Sequence, residues 1–100
     1  MKTEDYRKSL FKRLKDPEYA VGYLTDVLAN ESQEAFLIAL RDIIESRDEN
    51  FSALSEKSGI SRRGLYQALS ESGNPQFATI KDVLSSLGLQ LTVARKQAVA

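Results

Sequence analysis

Arg62, Arg63 and Gln67 are the side chains whose type and spacing point most directly to a chemistry. A guanidinium can donate two parallel hydrogen bonds to O6 and N7 of guanine, and a glutamine amide can pair with adenine in the same way. Arg63 and Gln67 are four residues apart, the spacing that puts two side chains on one face of a helix. They are therefore candidate base contacts in DNA. The alternative is that the arginines are ordinary solvated charges on an exposed helix.

Side chains around this group provide secondary candidates. Ser61 and Tyr66 lie beside it and could also contact bases. Ser52, Ser70 and Lys81 are candidate phosphate contacts, which fix register without reading sequence. For Tyr66 the alternative is that its ring packs against the protein scaffold.

The composition argues against an enzyme. The chain has no histidine and no cysteine, so it lacks the usual side chains for nucleophilic or general-base catalysis. Only carboxylates remain as side-chain metal ligands, which excludes a zinc site. Asp42 and Glu45 are expected to form a solvated helix face. We expect no catalytic residue, no metal site and no cofactor.

The chain also lacks the patterns of membrane and exported proteins. The apolar run from Phe36 to Leu40 is far shorter than a membrane span. The first residues after Met1 are polar and charged rather than apolar, unlike a signal peptide. We expect a cytoplasmic protein with no membrane partner.

The net charge is zero, but the charges are unevenly distributed. Residues 1–15 contain six Lys or Arg and two acids, residues 16–60 contain three and ten, and residues 61–100 contain five and two. The strongly acidic middle segment would attract a basic partner. The alternative is that these charges only solvate helix faces.

Capping residues predict where the first two main helices begin. Asp16 can accept an orphan amide as an N-cap, and Pro17 suits the first helical position. A second start is expected near Asn30, whose spacing to Gln33 resembles a capping box, and that helix should reach about Arg47. The two helices are predicted to form a hairpin.

A short helix, a glycine and another short helix follow. Asn50 can cap the first of these helices, and Gly59 suits the left-handed residue at its end. Ser61 can cap the second helix, whose Leu65 and Leu69 should face the core. This is the pattern of a helix-turn-helix, in which the second helix enters the major groove of DNA.

The C-terminal part is predicted to hold one more helix and a strand. Gly88 would end this helix, and the segment from Leu89 to Val93 alternates with the two-residue period of a strand. The apolar stripe of the helix consists of Phe77, Ile80, Val83, Leu84 and Leu87. A lone strand must pair somewhere, so we expect a homodimer through residues 89–93. The alternative is an unpaired tail with a solvated backbone.

The chain resembles two nested groups of proteins. Residues 50–93 resemble the Xre-type, phage-repressor-like helix-turn-helix domain, and residues 16–93 resemble the HigA-like addiction-module antidote proteins. The matching pieces are DPEYAVGYL, FLIALRDI, LSEKSGISRRGLYQALSESGNPQF and LGLQLTV. Two residues depart from the pattern: Ser55 stands where alanine is usual, and Ala78 stands where a hydroxyl cap is more typical, so each should slightly weaken local packing or capping.

The resemblance implies an all-α fold, namely a five-helix lambda-repressor-like helix-turn-helix bundle with a short C-terminal β-strand. Within one compact domain, residues 1–15 would form a basic N-terminal segment, 16–49 a helical hairpin, and 50–95 the DNA-binding region with the strand.

The resemblance also implies a function, that of an antitoxin that binds a small basic toxin of the RelE/ParE type and represses its own operon on double-stranded operator DNA. By position, base contact falls on Arg62, Arg63 and Gln67, with Ser61 and Tyr66 beside them. The toxin would bind the acidic face of residues 16–49, with Glu31, Glu34 and Asp42 as candidates. The alternatives are a stand-alone Xre-type repressor and a helical interaction adaptor that binds no DNA.

Overall fold

Helices dominate the part of the chain that the computed structural model describes, which is residues 2–47, 51–70 and 72–96. Within these ranges there are six helices and no strand: α1 (Lys2–Leu14), α2 (Pro17–Asn30), α3 (Gln33–Ser46), α4 (Phe51–Ser58), α5 (Arg62–Ala68) and α6 (Phe77–Ser86). The predicted all-α class is confirmed. The predicted count of five helices is wrong.

The additional helix is α1, in the region expected to be only a basic segment. Leu10 and Leu14 lie one turn apart and are both buried, because α1 packs on α2 and α3. Acidic Glu4 lies in the first turn and basic Arg13 in the last, which suits the helix dipole. From Glu4 onward, the charged side chains of α1 are therefore exposed on the outer faces of a helix that contributes to the core.

The helices α2 and α3 pack together as the predicted hairpin. Asp16 caps α2 as expected, since its carboxylate accepts a hydrogen bond from the Glu18 amide at 3.1 Å. The expected α3 start near Asn30 is wrong. The hydroxyl of Ser32 caps α3 by accepting from the Ala35 amide at 3.1 Å, whereas Asn30 still belongs to α2 and donates from its side chain to Asp26.

Two glycines end helices as predicted. Gly59 follows α4 with φ of 77° and its amide donates to the Ser55 carbonyl, and Gly88 follows α6 with φ of 79°. The amide of Leu89 then donates back to the Leu84 carbonyl at 2.8 Å, which completes a Schellman turn. Asn50, the predicted cap of α4, lies outside the described residues.

The α6 helix differs from its prediction at its first turn. Phe77 was expected in the core, but it is 68% exposed and only the later apolar residues of the helix are well buried. The N-cap is Gln76, which makes no side-chain capping bond, and Ala78 is therefore not at the cap position. The buried apolar stripe of α6 therefore begins at Ile80, which is half-buried, and continues with Val83 and Leu84, which are buried.

Residues 89–96 follow α6 without regular structure, so the predicted strand at 89–93 is not present in this chain. Leu89 and Leu91 are half-buried against the core, Gln90 and Thr92 are exposed, and Val93 is fully exposed. Within the described part of this tail, residues 90–96 make no backbone hydrogen bond. The alternation of burial is strand-like, but nothing in the described ranges pairs with this segment as a strand.

One core joins the helices. Leu14, Leu40, Ile44 and Leu65 are fully buried in it, and they come from α1, α3 and α5. Arg47 also links distant parts of the chain, since its guanidinium donates to the Leu87 carbonyl at 2.9 Å. Among the helices that the structure describes, none combines the length and the apolar character needed to cross a membrane.

Candidate nucleic-acid interface

Serine hydroxyls hold the turn between α4 and α5. Ser55 donates to the Ile60 carbonyl at 2.5 Å, Ser58 accepts from the Ile60 amide at 3.2 Å, and Ser61 accepts from the Gly64 amide at 3.0 Å. Ser61 is the predicted N-cap, which the structure confirms. Ser55 was expected to weaken this region, yet its hydroxyl satisfies a carbonyl of the turn. The signal missed in the sequence was three serines at intervals of three residues.

The α5 helix has one buried and one exposed face. Leu65 and Leu69 are fully buried, so the orientation predicted for α5 is confirmed. The candidate base-contact residues of the helix are all exposed: Arg62, Arg63, Tyr66 and Gln67. Within the described part of the chain, the side chains of Arg63 and Gln67 make no hydrogen bond or ion pair. Their donors and acceptors remain available to a ligand.

Arg62 and Tyr66 instead contact α4. The Arg62 guanidinium donates to the Ser52 hydroxyl at 2.8 Å. The Tyr66 ring stacks on Phe51 with 4.3 Å between ring centroids and 16° between their planes, while half of the tyrosine stays exposed. The two contacts border one shallow depression of about 370 Å³ that Glu45 also lines. They fasten α5 to α4 on the exposed side.

The three candidate phosphate contacts lie in different settings. The hydroxyl of Ser52 accepts from Arg62, and that of Ser70 donates to the Gln67 carbonyl at 2.9 Å. Lys81 is exposed on α6, with its ammonium 5.8 Å from the centroid of the Phe77 ring. Ser52 is thus joined to the α5 surface by a direct bond, whereas Lys81 contacts its own helix.

The acidic residues predicted to bind the toxin differ in their exposure. Glu31 and Glu34 are exposed at the end of α2 and the start of α3. Asp42 is only 8% exposed, so the expected solvated face is wrong for this residue. It is buried because α1 covers α3, and it lies 4.0 Å from the Arg7 guanidinium, which also approaches Glu45 at 3.6 Å.

The burial of Asp42 alters its titration. The largest effect is loss of solvent, which raises the pKa of the Asp42 carboxyl. The positive charge of Arg7 lowers this pKa, the negative charge of Glu45 raises it, and the positive charge of Arg41 lowers it. The net pKa lies above the ordinary value of 3.8. Burial and the Asp42 charge together also raise the pKa of Tyr23. Asp42 therefore belongs to a partly buried network between α1, α2 and α3 rather than to an open binding surface.

Comparison with known proteins places the chain in a family. An uncharacterized protein of Haemophilus influenzae (strain Rd) is 44% identical over 75 residues, which are 75% of each chain. No solved structure matches the chain. A family model described as "Probable addiction module antidote protein" matches residues 5–95, from α1 to the C-terminal tail. Because this match covers almost the whole chain, the protein belongs to the family of addiction module antidote proteins.

Proposed function

We propose that the chain is the antitoxin of a type II toxin–antitoxin module, which neutralises its toxin by direct binding and represses its own operon. The observation that carries this proposal is the family match over residues 5–95. An antidote needs a toxin to bind, and the lack of histidine and cysteine suits a binding protein better than an enzyme. The proposal assigns the chain no catalytic role and places it in the cytoplasm with its operon.

Support for DNA binding comes from α4, the turn and α5. A left-handed glycine and serine hydroxyls fix the turn, and α5 buries its leucines while exposing Arg63 and Gln67 on one face. In this interpretation Arg63 pairs with guanine and Gln67 with adenine, with Arg62, Tyr66 and Ser61 beside them. Ser52, Ser70 and Lys81 would contact phosphates. The proposed DNA-binding unit would be a helix-turn-helix of the Xre type.

A homodimer would place two α5 helices on the operator. Pairing of residues 89–93 with the same segment of a second copy would satisfy the backbone groups that are unpaired in the single chain. Two-fold symmetry would then require an operator with inverted half-sites about 34–36 Å apart, one turn of DNA. The oligomeric state follows directly from the mass measured by sedimentation.

The proposed toxin is a basic protein of the RelE/ParE type. The acidic surplus of residues 16–60 supports a positively charged partner, and Glu31 and Glu34 are exposed on that segment. Asp42 is not part of this proposed surface because it is buried and paired with Arg7.

Two measurements test the proposed function. The first titrates the purified chain against the DNA upstream of its own gene and against random DNA of equal length, over a series of salt concentrations. A repressor should prefer its own DNA and lose affinity steeply with salt, since each phosphate contact releases counterions. Equal and salt-independent affinities would instead indicate the interaction adaptor.

The second measurement asks whether the chain binds the purified product of the adjacent reading frame. A stable complex that suppresses the toxicity of that product would support the antitoxin role. Specific operator binding without such a complex would leave a stand-alone repressor.

A further inference from the structure

An apolar groove of about 460 Å³ lies between α2, α6 and the C-terminal tail, on a surface that the helix-turn-helix does not include. Its α2 wall exposes two aliphatic side chains, Val21 at 48% and Leu28 at 54%. Phe36 and Leu84 belong to its apolar floor, and residues of the tail form the other wall. Exposed aliphatic side chains that line one depression are typical of a protein-binding site.

The tail side of the groove offers polar groups as well. Gln90, Thr92 and Ala94 line the groove and belong to the described segment without backbone hydrogen bonds. Because an extended segment carries backbone donors and acceptors on both edges, a partner could hydrogen-bond to the edge that faces the groove and place its apolar side chains over Val21 and Leu28. The other edge of residues 89–93 would remain for the proposed homodimer.

The charge around the groove indicates which partner would bind. Residues 16–40 contain five carboxylates and no lysine or arginine, so their formal charge is 0 − 5 = −5. Two of these carboxylates flank the groove along α2: Glu18 lies one turn before Val21, and Glu31 lies one turn after Leu28. Both are exposed. On its α2 side, the groove is thus an apolar site between two acidic residues.

We propose that this groove is the docking site of the basic toxin, which inserts apolar side chains between Glu18 and Glu31 and places its cations against those carboxylates. This inference rests on the proposed antitoxin function and adds the surface that would bind the toxin. A second copy placed symmetrically in the groove fits less well than a basic partner, because it would bring an equally acidic α2 surface against this one.

The test uses the purified product of the adjacent reading frame as the probe. The double variant Val21→Ser with Leu28→Ser should bind it about tenfold or more weakly, since the contact would lose two apolar anchors. The matched control is Ile38→Ser, because Ile38 is an aliphatic residue of α3 that is 39% exposed and does not line the groove. This control should bind as the unmodified chain does.

A second pair of variants tests the charges. Charge reversal by Glu18→Lys with Glu31→Lys should slow association about tenfold at low salt, and the effect should shrink at high salt. Asp26→Lys is the control, because Asp26 is an exposed carboxylate on another side of α2. Thr25→Arg is an independent blocking variant, since Thr25 lines the groove without belonging to the core.

The possible results are distinct. If the unmodified chain does not bind the probe, both the proposed toxin partner and this docking site are wrong. Binding that survives all the groove variants overturns the docking site alone. Groove variants that change the sedimentation mass of the free chain would show a second copy in the groove, and they would also overturn the proposal. Circular dichroism and operator binding confirm that each variant is folded.

Discussion

The guanidinium of Arg62 donates a hydrogen bond of 2.8 Å to the hydroxyl of Ser52, so the first residue of α5 is tied to α4 across the turn. Arg63, the next residue, makes no such bond within the described part of the chain. Two neighbouring arginines that look equivalent in sequence therefore have different settings. Arg62 helps to position α5, and Arg63 is the better candidate for reading a base.

Arg63→Ala should weaken binding to operator DNA by about 1–3 kcal/mol and relax the preference at one base position. The reason is that a bidentate contact to guanine would be lost while the exposed side chain contributes little to folding. Competition binding against single-base operator variants measures the effect. An equal loss of affinity on random DNA would contradict the role of a base contact.

Lys81→Ala should weaken binding to all DNA sequences and reduce the slope of log affinity against log salt by about one unit. A phosphate contact contributes charge but no sequence information. Titrations of specific and random DNA at several salt concentrations measure both quantities. An unchanged slope would remove Lys81 from the interface.

Tyr66→Ala should lower the free energy of unfolding by about 0.5–1.5 kcal/mol beyond the loss of buried area, because the stack on Phe51 is removed. Tyr66→Phe keeps the ring and should leave the melting temperature unchanged. Thermal unfolding followed by circular dichroism compares the two. Equal destabilisation by both variants would show that the hydroxyl, not the ring, matters for the fold.

Gly73→Ala should destabilise the protein by about 1–3 kcal/mol, as expected for overpacking. A β-carbon at Gly73 would lie 2.3 Å from the Ala68 carbonyl oxygen and 2.8 Å from that of Gln67, at the end of α5. Gly22→Ala is the matched control, because a β-carbon there meets nothing within 4 Å. Since Gly22 lies inside α2, that change should stabilise by about 0.5–1 kcal/mol. Urea unfolding of both variants tests the pair.

Asp42 should make stability depend on pH in the direction set by its raised pKa. The folded chain holds this proton more tightly than the unfolded chain, so the stabilisation is present below the ordinary pKa of 3.8 and is lost as pH rises through the raised value. The free energy of unfolding of the unmodified chain minus that of Asp42→Asn should therefore fall as pH rises across this window. Denaturant unfolding at a series of pH values measures it.

Two variants would test the physical causes of the pKa shifts of Asp42 and Tyr23. Arg7→Gln removes a charge that lowers the pKa of Asp42, so it should move the window to higher pH. Asp42→Asn should lower the pKa of Tyr23, because the Asp42 charge helps to raise it. Titration by NMR reports both groups, and a stability difference that increases with pH would refute the assignment.

Helix ends were predictable where one residue decides them locally. Asp16, Gly59, Ser61 and Gly88 perform the capping roles expected from their side chains or left-handed backbone. The start of α3 was wrong because two nearby residues, Asn30 and Ser32, can both cap a helix. Which of them does so depends on where α2 ends, and that is set by packing.

Two of the larger errors, the missing helix α1 and the expected exposure of Asp42, share one cause. The dense charges of residues 1–15 concealed the pair Leu10 and Leu14, so the sequence predicted only a basic segment there and no helix that could cover α3. Because α1 packs on α3, it covers Asp42, which is therefore not part of the acidic surface. The exposure of Phe77 was not predictable from periodicity, because its spacing to Ile80 and Leu84 puts it on the same face of the helix as these residues.

The unpaired backbone of residues 90–96 also bears on how long the chain survives in a cell. Proteases bind their substrates in an extended conformation. A segment without internal hydrogen bonds adopts this conformation with little cost in free energy. We therefore expect proteases to cleave the unbound protein within residues 90–96, whereas binding to a partner would protect the peptide bonds of this segment. The half-life of the protein would thus follow the abundance of its partners.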